Sequence, residues 1–138
     1  MLFFLLVLLN CLPSPKQIEL RFTHFRNDKG LVRVAVYNNA KNFCNEDIKP
    51  LKEISAKITQ GESTVAISDL PNGDYAITVL HDENEDAVMN YLLGLPREGY
   101  AFSNNARPGF SKPSFSSCQI KVETGVEVNQ TIRVRYLF

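Results

Sequence analysis

The residues most able to do chemistry lie mid-chain, where the segment HDENED follows an apolar run. Asp82, Asn84 and Asp86 stand at alternate positions, which matches the first, third and fifth ligands of a calcium loop. The seventh position of such a loop offers a main-chain carbonyl and the ninth a side chain, and these positions fall on Val88 and Asn90. The spacing therefore predicts a calcium site, with Ca2+ as the cofactor.

The acidic loop, residues 82–86, leaves this predicted site short of ligands. Ca2+ takes six to eight oxygens, and the loop with its flank supplies about five, so that a more distant carboxylate such as Glu98 would have to complete the shell. Ala87 stands where a calcium loop usually has glycine, and Leu93 where it usually has a bidentate Glu. These departures leave open an alternative, a solvated acidic turn whose Asp and Asn side chains bond their own backbone.

His81 directly precedes the acidic loop and offers a second interpretation. In a hydrolase, His81 would be the base and a carboxylate of residues 82–86 its partner, with Ser103 or Cys44 as nucleophile. The sequence has neither the G-x-S-x-G elbow nor the HExxH motif. We therefore expect no catalytic residue and no enzyme activity, and we expect His81 to bond loop backbone instead.

Aromatic and amide side chains after the acidic loop suggest a recognition surface. Aromatic faces beside amides and one guanidinium are common in sugar and peptide sites. The residues of this candidate ligand-binding set are His81, Tyr100, Phe102, Asn104, Asn105 and Arg107. The alternative is that the rings pack in the core.

The rest of the chain alternates with a period of two, which is typical of half-buried strands. Alternating runs occupy residues 18–22, 32–36, 54–58, 65–67, 120–122 and 132–136, and residues 75–80 are more continuously apolar. Short turns rich in Gly, Asn and Asp separate several runs, which favours antiparallel hairpins. We predict an all-β, antiparallel two-sheet sandwich of about seven strands.

One long segment interrupts this pattern. Residues 82–115, here called the long loop, lack sustained alternation but carry several large apolar side chains that need burial. Loops beyond about 12 to 15 residues are uncommon in compact domains unless they are functional or disordered. We expect an ordered excursion after the central strand that folds over one end or face of the sandwich.

The overall composition excludes several classes of protein. The chain has 138 residues and a formal net charge of zero, with 44% hydrophobic residues. This length predicts one domain, and zero net charge argues against nucleic acid as a partner, because such binding needs clustered Lys and Arg. The hydrophobic content argues against intrinsic disorder.

The N-terminus predicts export. Leu2–Leu9 is an unbroken apolar run, too short for the ~20 residues of a membrane span but suited to a signal peptide. We assign residues 1–17 to a signal peptide or lipoprotein leader and residues 18–138 to the β-sandwich domain. Cys11 follows Leu-Leu-Asn in a loose lipobox, so it is either lipidated, giving the only membrane contact, or removed with the leader. The mature protein is expected to be periplasmic, secreted or lipid-anchored.

Two cysteines remain after the leader. Cys44 and Cys118 are an even number of thiols in an oxidising compartment, where a disulfide is reasonable. The alternative is two free, buried thiols.

A series of motifs resembles an exported bacterial family. The segments are DLPNGDY at 69–75, HDEN at 81–84, GLPREGY at 94–100, FSNN at 102–105 and KPSF at 112–115. Together they closely resemble domain of unknown function 2141, which implies an exported β-sandwich of bacteria without an assigned activity. The turn at 70–75 is also similar to that of transthyretin-like sandwiches. Ala87 and Asn90 stand where the family usually has Gly and Asp.

These observations favour a binding or structural module of the cell envelope. Its partner would be an unknown envelope component or a small ligand. A further interpretation is an assembly role, in which the C-terminal segment Thr131–Phe138 pairs with a partner at a sheet edge.

Overall fold

The computed structural model describes residues 15–109 and 111–138, and this part of the chain is mostly β-structure. Its strands are β1 Ile18–Thr23, β2 Leu31–Tyr37, β3 Lys52–Ala56, β4 Ser63–Ile67, β5 Gly73–Asp82, β6 Tyr91–Leu92, β7 Leu95–Pro96, β8 Gly99–Phe102, β9 Ile120–Val122 and β10 Val128–Arg133. A 3-10 turn covers Ser103–Asn105, and one turn of helix, α1, covers Phe115–Cys118. Each predicted run overlaps a strand, and three further strands, β6 to β8, lie inside the long loop.

The first sheet has the order β10-β1-β4. β4 pairs with β1 in the antiparallel sense, as predicted, whereas β10 pairs with β1 in parallel, with Ile18 opposite Val128. The parallel pair arises because β9 belongs to the other sheet. The chain crosses between the sheets after β9 and does not return through a hairpin.

The second sheet has the order β3-β2-β5-β8, and β9 pairs with the first residues of β5. All its pairings are antiparallel. β5 is the longest strand and the central one, and its last residue, Asp82, pairs with Leu31 at the start of β2. The acidic loop therefore leaves the sheet from its most extensively bonded strand.

The main core lies between the two sheets, which confirms the predicted sandwich. Alternate side chains of both sheets point inward and bury apolar surface. Each Å² of apolar surface removed from water stabilises the fold by about 25 cal/mol. The fully buried core side chains include Ile18, Leu20, Phe22, Val32, Val36, Ile67, Ile77 and Ile132.

A smaller cluster covers the outer face of the second sheet. It contains Tyr37, Phe43, Ala76 and Cys118, and Phe115 packs against it. Ala76 alternates with main-core residues of β5, so it must face away from the main core. The long loop therefore ends on this face at Phe115, where α1 begins.

Part of the long loop projects as the apolar hairpin, residues 91–96. Tyr91 pairs with Pro96 and Leu92 with Leu95, and the turn residue Leu93 is 93% exposed. Tyr91, Leu92 and Leu95 are also exposed. The prediction that this segment is ordered is met, but its apolar side chains are exposed and not buried.

Gln17 is the last residue of the predicted leader, and it contacts the β-sandwich at Leu70. The side chain of Gln17 accepts a hydrogen bond from Leu70 N at 2.7 Å and donates one to Leu70 O at 2.6 Å, so Gln17 belongs to the folded domain. Most of the predicted leader, including Cys11, lies outside the described residues. Within residues 15–109 and 111–138, no helix has the length and apolar character needed to cross a bilayer.

Candidate functional site

The acidic loop is organised around the buried carboxylate of Asp82. Asp82 has no exposed surface, and its Oδ2 accepts a hydrogen bond from Nε of Arg33 on the neighbouring strand β2. The same carboxylate accepts the main-chain N–H of Asp86 at 3.2 Å and of Ala87 at 2.9 Å. These bonds fold the chain back over the end of β5, as an Asx-type turn does.

The loop needs two residues in the left-handed region. Glu85 has a φ of 57° and Ala87 a φ of 66°. Such values favour glycine, because a Cβ crowds the backbone there. Position 87 is therefore a sharp turn of the kind for which a calcium loop uses glycine, even though this sequence has alanine.

Glu98 brings a second buried carboxylate to the loop. It lies just before β8 and is only 5% exposed. Its Oε2 accepts the main-chain N–H of Glu83 at 2.9 Å, and its Oε1 accepts the side-chain amide of Asn90 at 2.8 Å. The remote carboxylate considered from the sequence thus meets the loop directly.

Asp86 completes a group of three carboxylates, here called the carboxylate cluster: Asp82, Asp86 and Glu98. One oxygen of each lies within 4.8 Å of the others. Asp86 is exposed and accepts hydrogen bonds from Val88 N at 3.1 Å and from the amides of Asn84 and Asn90, each at 3.0 Å. The bond from Val88 N, followed by that from Asn90, holds the pKa of Asp86 below its ordinary value.

The residues of the cluster fit a hard cation. All its charged groups present oxygen, which suits Ca2+ and not zinc or copper. Every residue of the predicted calcium set lies in or beside the cluster, but Asn84 and Asn90 turn their NH2 groups toward it and Val88 contributes its N–H. To bind a cation, these amides would rotate to present oxygen, since the NH2 and the oxygen occupy similar positions.

His81 is a structural residue of the interior. It is fully buried and makes edge contacts with the rings of Phe25 and Tyr136. Its Nε2 lies 2.8 Å from the carbonyl of Lys29, which can only accept, so Nε2 carries the proton. Nδ1 then accepts from the hydroxyl of Tyr136 at 2.7 Å. Both ring nitrogens are engaged, and the backbone group that His81 bonds belongs to the turn before β2 and not to the acidic loop.

Tyr136 was missed as a site residue. It follows the last strand and its ring lies against Gly99, where an added Cβ would come within 2.5 Å of Tyr136 Cε1. Gly99 directly follows Glu98, so the C-terminal segment also fixes the position of that carboxylate. Arg33 was missed too, since alternation marked it only as an outward strand residue.

Asn104 and Asn105 tie the two sheets together. The amide of Asn105 donates to Thr131 O and accepts from Arg133 N, each at 2.9 Å, which occupies the outer edge of β10. The amide of Asn104 donates to Gln119 O at 2.9 Å and accepts from the side chain of Gln130 at 2.6 Å. These amides have structural partners that the sequence did not reveal.

The predicted ligand-binding set does not converge on one cavity. Phe102 packs on Phe43 with ring centroids 6.4 Å apart, and Tyr100 stacks edge-on against Phe102 at 6.2 Å. Arg107 is exposed, whereas His81 is buried at the far end of β8. Two shallow depressions on the described surface, beside Ala56 and Thr64 and beside Arg21 and Asn129, contain none of the six residues.

The C-terminal segment is hydrogen-bonded to β1, to Asn105 and to Tyr100. β10 pairs with β1 on one side and meets Asn105 on the other, and Arg135 exchanges hydrogen bonds with Tyr100 at 2.9 and 3.0 Å. Asn105 thus occupies two backbone groups of the outer edge of β10, Leu137 and Phe138 are exposed, and the assembly role of Thr131–Phe138 stays a prediction.

Cys44 and Cys118 are both free thiols in the structure, and their pairing in an oxidising compartment stays a prediction. Cys118 is fully buried in the smaller cluster, and Cys44 packs against that cluster. Burial raises the pKa of Cys44 to about 11, with a smaller contribution from Cys118 and an opposing one from Lys112. A thiol of this kind is largely protonated at neutral pH and is a weak nucleophile.

Comparison with known proteins identifies the family. No curated protein and no solved structure matches the chain. The model of a family described as "uncharacterized protein conserved in bacteria (DUF2141)" matches residues 20–130, from β1 into β10. This match covers most of the chain and confirms the resemblance carried by the HDEN and FSNN segments. The chain belongs to the DUF2141 family of uncharacterized bacterial proteins.

Proposed function

We propose that this protein is a non-enzymatic module of the bacterial cell envelope, exported through its N-terminal leader, in which the acidic loop binds a calcium ion. The observation that carries the calcium proposal is the carboxylate cluster. Asp82, Asp86 and Glu98 come from positions up to 16 residues apart in sequence, yet their oxygens lie within 4.8 Å.

Charge supports the choice of a cation. Three carboxylates at this distance repel one another, and Arg33 bonds to Asp82 alone among them. The partners of Glu98 are neutral N–H groups of Glu83 and Asn90. A divalent ion between these carboxylates would offset the repulsion that neutral donors leave.

A bound ion would tie together three parts of the chain. Asp82 ends the central strand, Asp86 lies in the turn, and Glu98 follows the apolar hairpin. The ion would therefore fix the base of a hairpin whose side chains are largely exposed. Exposed apolar groups clustered in one segment are typical of contact surfaces, so the binding role of the module is assigned to this end.

Thermal unfolding of the full chain in EDTA and in about 10 mM CaCl2 tests the calcium proposal. A site with a Kd of about 0.1–1 mM would stabilise the fold by about 1.4–2.7 kcal/mol at that concentration, a rise of several degrees in Tm. Asp86→Asn should lose the rise. Glu85→Gln removes the same charge one residue away, outside the cluster, and should keep it.

Equal Tm values in both buffers would overturn the calcium proposal and leave a hydrogen-bonded turn. A rise that Asp86→Asn retains would place the ion elsewhere. MgCl2 serves as the cation control, because Mg2+ demands a smaller octahedral shell and gives up water reluctantly.

The alternative function, a hydrolase with His81 as base, has less support. A general base must reach the proton that it removes, and both nitrogens of His81 already have partners inside the protein. Among the described residues, Ser103 is equally engaged, since its hydroxyl accepts from Ile77 N at 3.0 Å and donates to Cys118 O.

A further inference from the structure

Two segments far apart in sequence meet on the outer face of the second sheet. One is the loop after β2 that carries Phe43 and Cys44, and the other runs from Lys112 through α1 to Cys118. The aromatic residue of the first segment, Phe43, belongs to the smaller cluster, and that of the second, Phe115, packs against it. The two cysteines are the residues of these segments that could be joined covalently.

Contacts of the residues that precede the two cysteines hold the segments together. Lys112 Nζ donates a hydrogen bond to the carbonyl of Phe43 at 2.6 Å, directly before Cys44. The ring of Phe43 makes an edge contact with Phe115, three residues before Cys118, with centroids 6.0 Å apart. The segments therefore arrive side by side before any covalent bond is made.

The backbone of Cys118 is held firmly. Its carbonyl accepts a hydrogen bond from the buried hydroxyl of Ser103, which is itself bonded to Ile77 on the central strand. The turn of α1 that leads to Cys118 is capped by Ser114, whose hydroxyl accepts from Ser117 N at 3.2 Å. Cys44 lies on the loop after β2 and packs against the smaller cluster, of which Cys118 is a member.

We propose that Cys44 and Cys118 form an intramolecular disulfide that staples the loop after β2 to α1 across the outer face of the second sheet. The step needs an oxidant, which is a low-molecular-weight or protein disulfide. Two S–H bonds break and one S–S bond forms, while the oxidant takes up two electrons and two protons and leaves as two thiols. In the cell this step rests on the export part of the proposed function, because the cytosol keeps thiols reduced.

The surroundings suit a structural bond and not a catalytic one. Burial raises the pKa of both thiols, so that only a small fraction of each is thiolate at neutral pH and each sulfur is a poor leaving group once bonded. We therefore expect slow oxidation and slow reduction. A bond between positions 44 and 118 closes a long loop, and such bonds restrict the unfolded chain most.

The test uses the full chain with Cys11→Ser, which leaves two of the three cysteines. After incubation with glutathione disulfide at pH 8.5, we expect loss of both free thiols in a monomer, a mass lower by two hydrogens, and a Tm higher by about 10 °C than in reductant. The matched control, Cys11→Ser with Cys44→Ser, should show no redox-dependent Tm.

Persistence of two free thiols, a glutathione adduct, or a disulfide-linked dimer in place of the intramolecular bond would overturn the pairing. Rapid alkylation of cells that express the chain traps any free thiols and so reports whether the bond forms in the cell. This measurement distinguishes a wrong pairing from a chain that is not exported. A protein that pairs in vitro and is reduced in cells supports the pairing but contradicts export. The test of the calcium proposal does not depend on this result, because it measures the Tm rise in CaCl2 and the loss of that rise in Asp86→Asn.

Discussion

Arg33 and Asp82 form an ion pair across the second sheet, from the outward side of β2 to the end of β5. The carboxylate is fully buried, whereas the guanidinium side chain is 29% exposed. Arg33 also donates to Ser55 Oγ at 3.2 Å, which keeps it over the sheet. The negative charge of Asp82, the first residue of the acidic loop, is therefore neutralised by Arg33 of the neighbouring strand.

Arg33→Met should destabilise the protein by about 3 kcal/mol, because it leaves a buried carboxylate without its cation. Arg21→Met is the matched control. Arg21 pairs with Glu62 on the exposed surface, where solvent and salt screen the pair, so its removal should change stability little. Urea unfolding of both variants in EDTA checks the difference. Equal losses of unfolding free energy in the two variants would mean that the pair between Arg33 and Asp82 stabilises the fold no more than a surface pair.

Ala87→Gly should stabilise the protein by about 0.5–1 kcal/mol. The φ of 66° at Ala87 strains any residue with a Cβ, and the relief exceeds the added flexibility of the unfolded chain. Ala106→Gly is the opposite control, since Ala106 has a φ of −59° and should lose stability on the same change. Chemical denaturation of both variants measures the change in unfolding free energy, which should be a gain for Ala87→Gly and a loss for Ala106→Gly. A loss of stability in Ala87→Gly would contradict the positive φ at that position.

Gly99→Ala should destabilise the fold by about 1–3 kcal/mol through overpacking, since the new methyl group would meet the ring of Tyr136 and Val134 Cγ1 at 2.8 Å. Gly109→Ala is the control, because its added Cβ meets no atom of the described residues within 4 Å. Differential scanning calorimetry distinguishes them. If Gly99→Ala unfolds like Gly109→Ala, the C-terminal segment does not pack on Gly99.

Stability should fall at acidic pH. Burial works to raise the pKa of Glu83, but hydrogen bonds from Asn27 and Arg26 and the charge of Arg26 outweigh it and hold the pKa below its ordinary 4.5. A lowered folded-state pKa adds stability that is complete above the unfolded value and is lost as the pH falls through the folded value. We expect the unfolding free energy to decline below pH 4.5, and less steeply in Glu83→Gln. An unchanged slope in that variant would contradict the assignment.

The sequence predicted the strands and indicated where the candidate site lies, because both depend on local pattern. Alternation of apolar residues follows from the pleat of a strand and is visible in any short window. The spacing of Asp82, Asn84 and Asp86 is equally local. Glu98 could be named only as one remote carboxylate, and the structure brings it to the cluster.

What the sequence could not predict depends on contacts between distant segments. Nothing near Arg33 indicates that it will meet Asp82, and nothing near Asn105 indicates that its amide will cover the edge of β10. The parallel pairing of β10 depends on which sheet receives β9. The exposure of Leu93 is the reverse case, since a large apolar residue predicts burial and the hairpin leaves it in solvent.

Calorimetric titration of CaCl2 into the full chain tests the central claim most directly, with Asp86→Asn and Glu85→Gln beside the parent. We predict one site with a Kd of about 0.1–1 mM in the parent and in Glu85→Gln, and binding at least about tenfold weaker in Asp86→Asn, as the loss of one charged ligand implies. Absence of binding in the parent, or equal binding by Asp86→Asn, would contradict calcium binding at the carboxylate cluster.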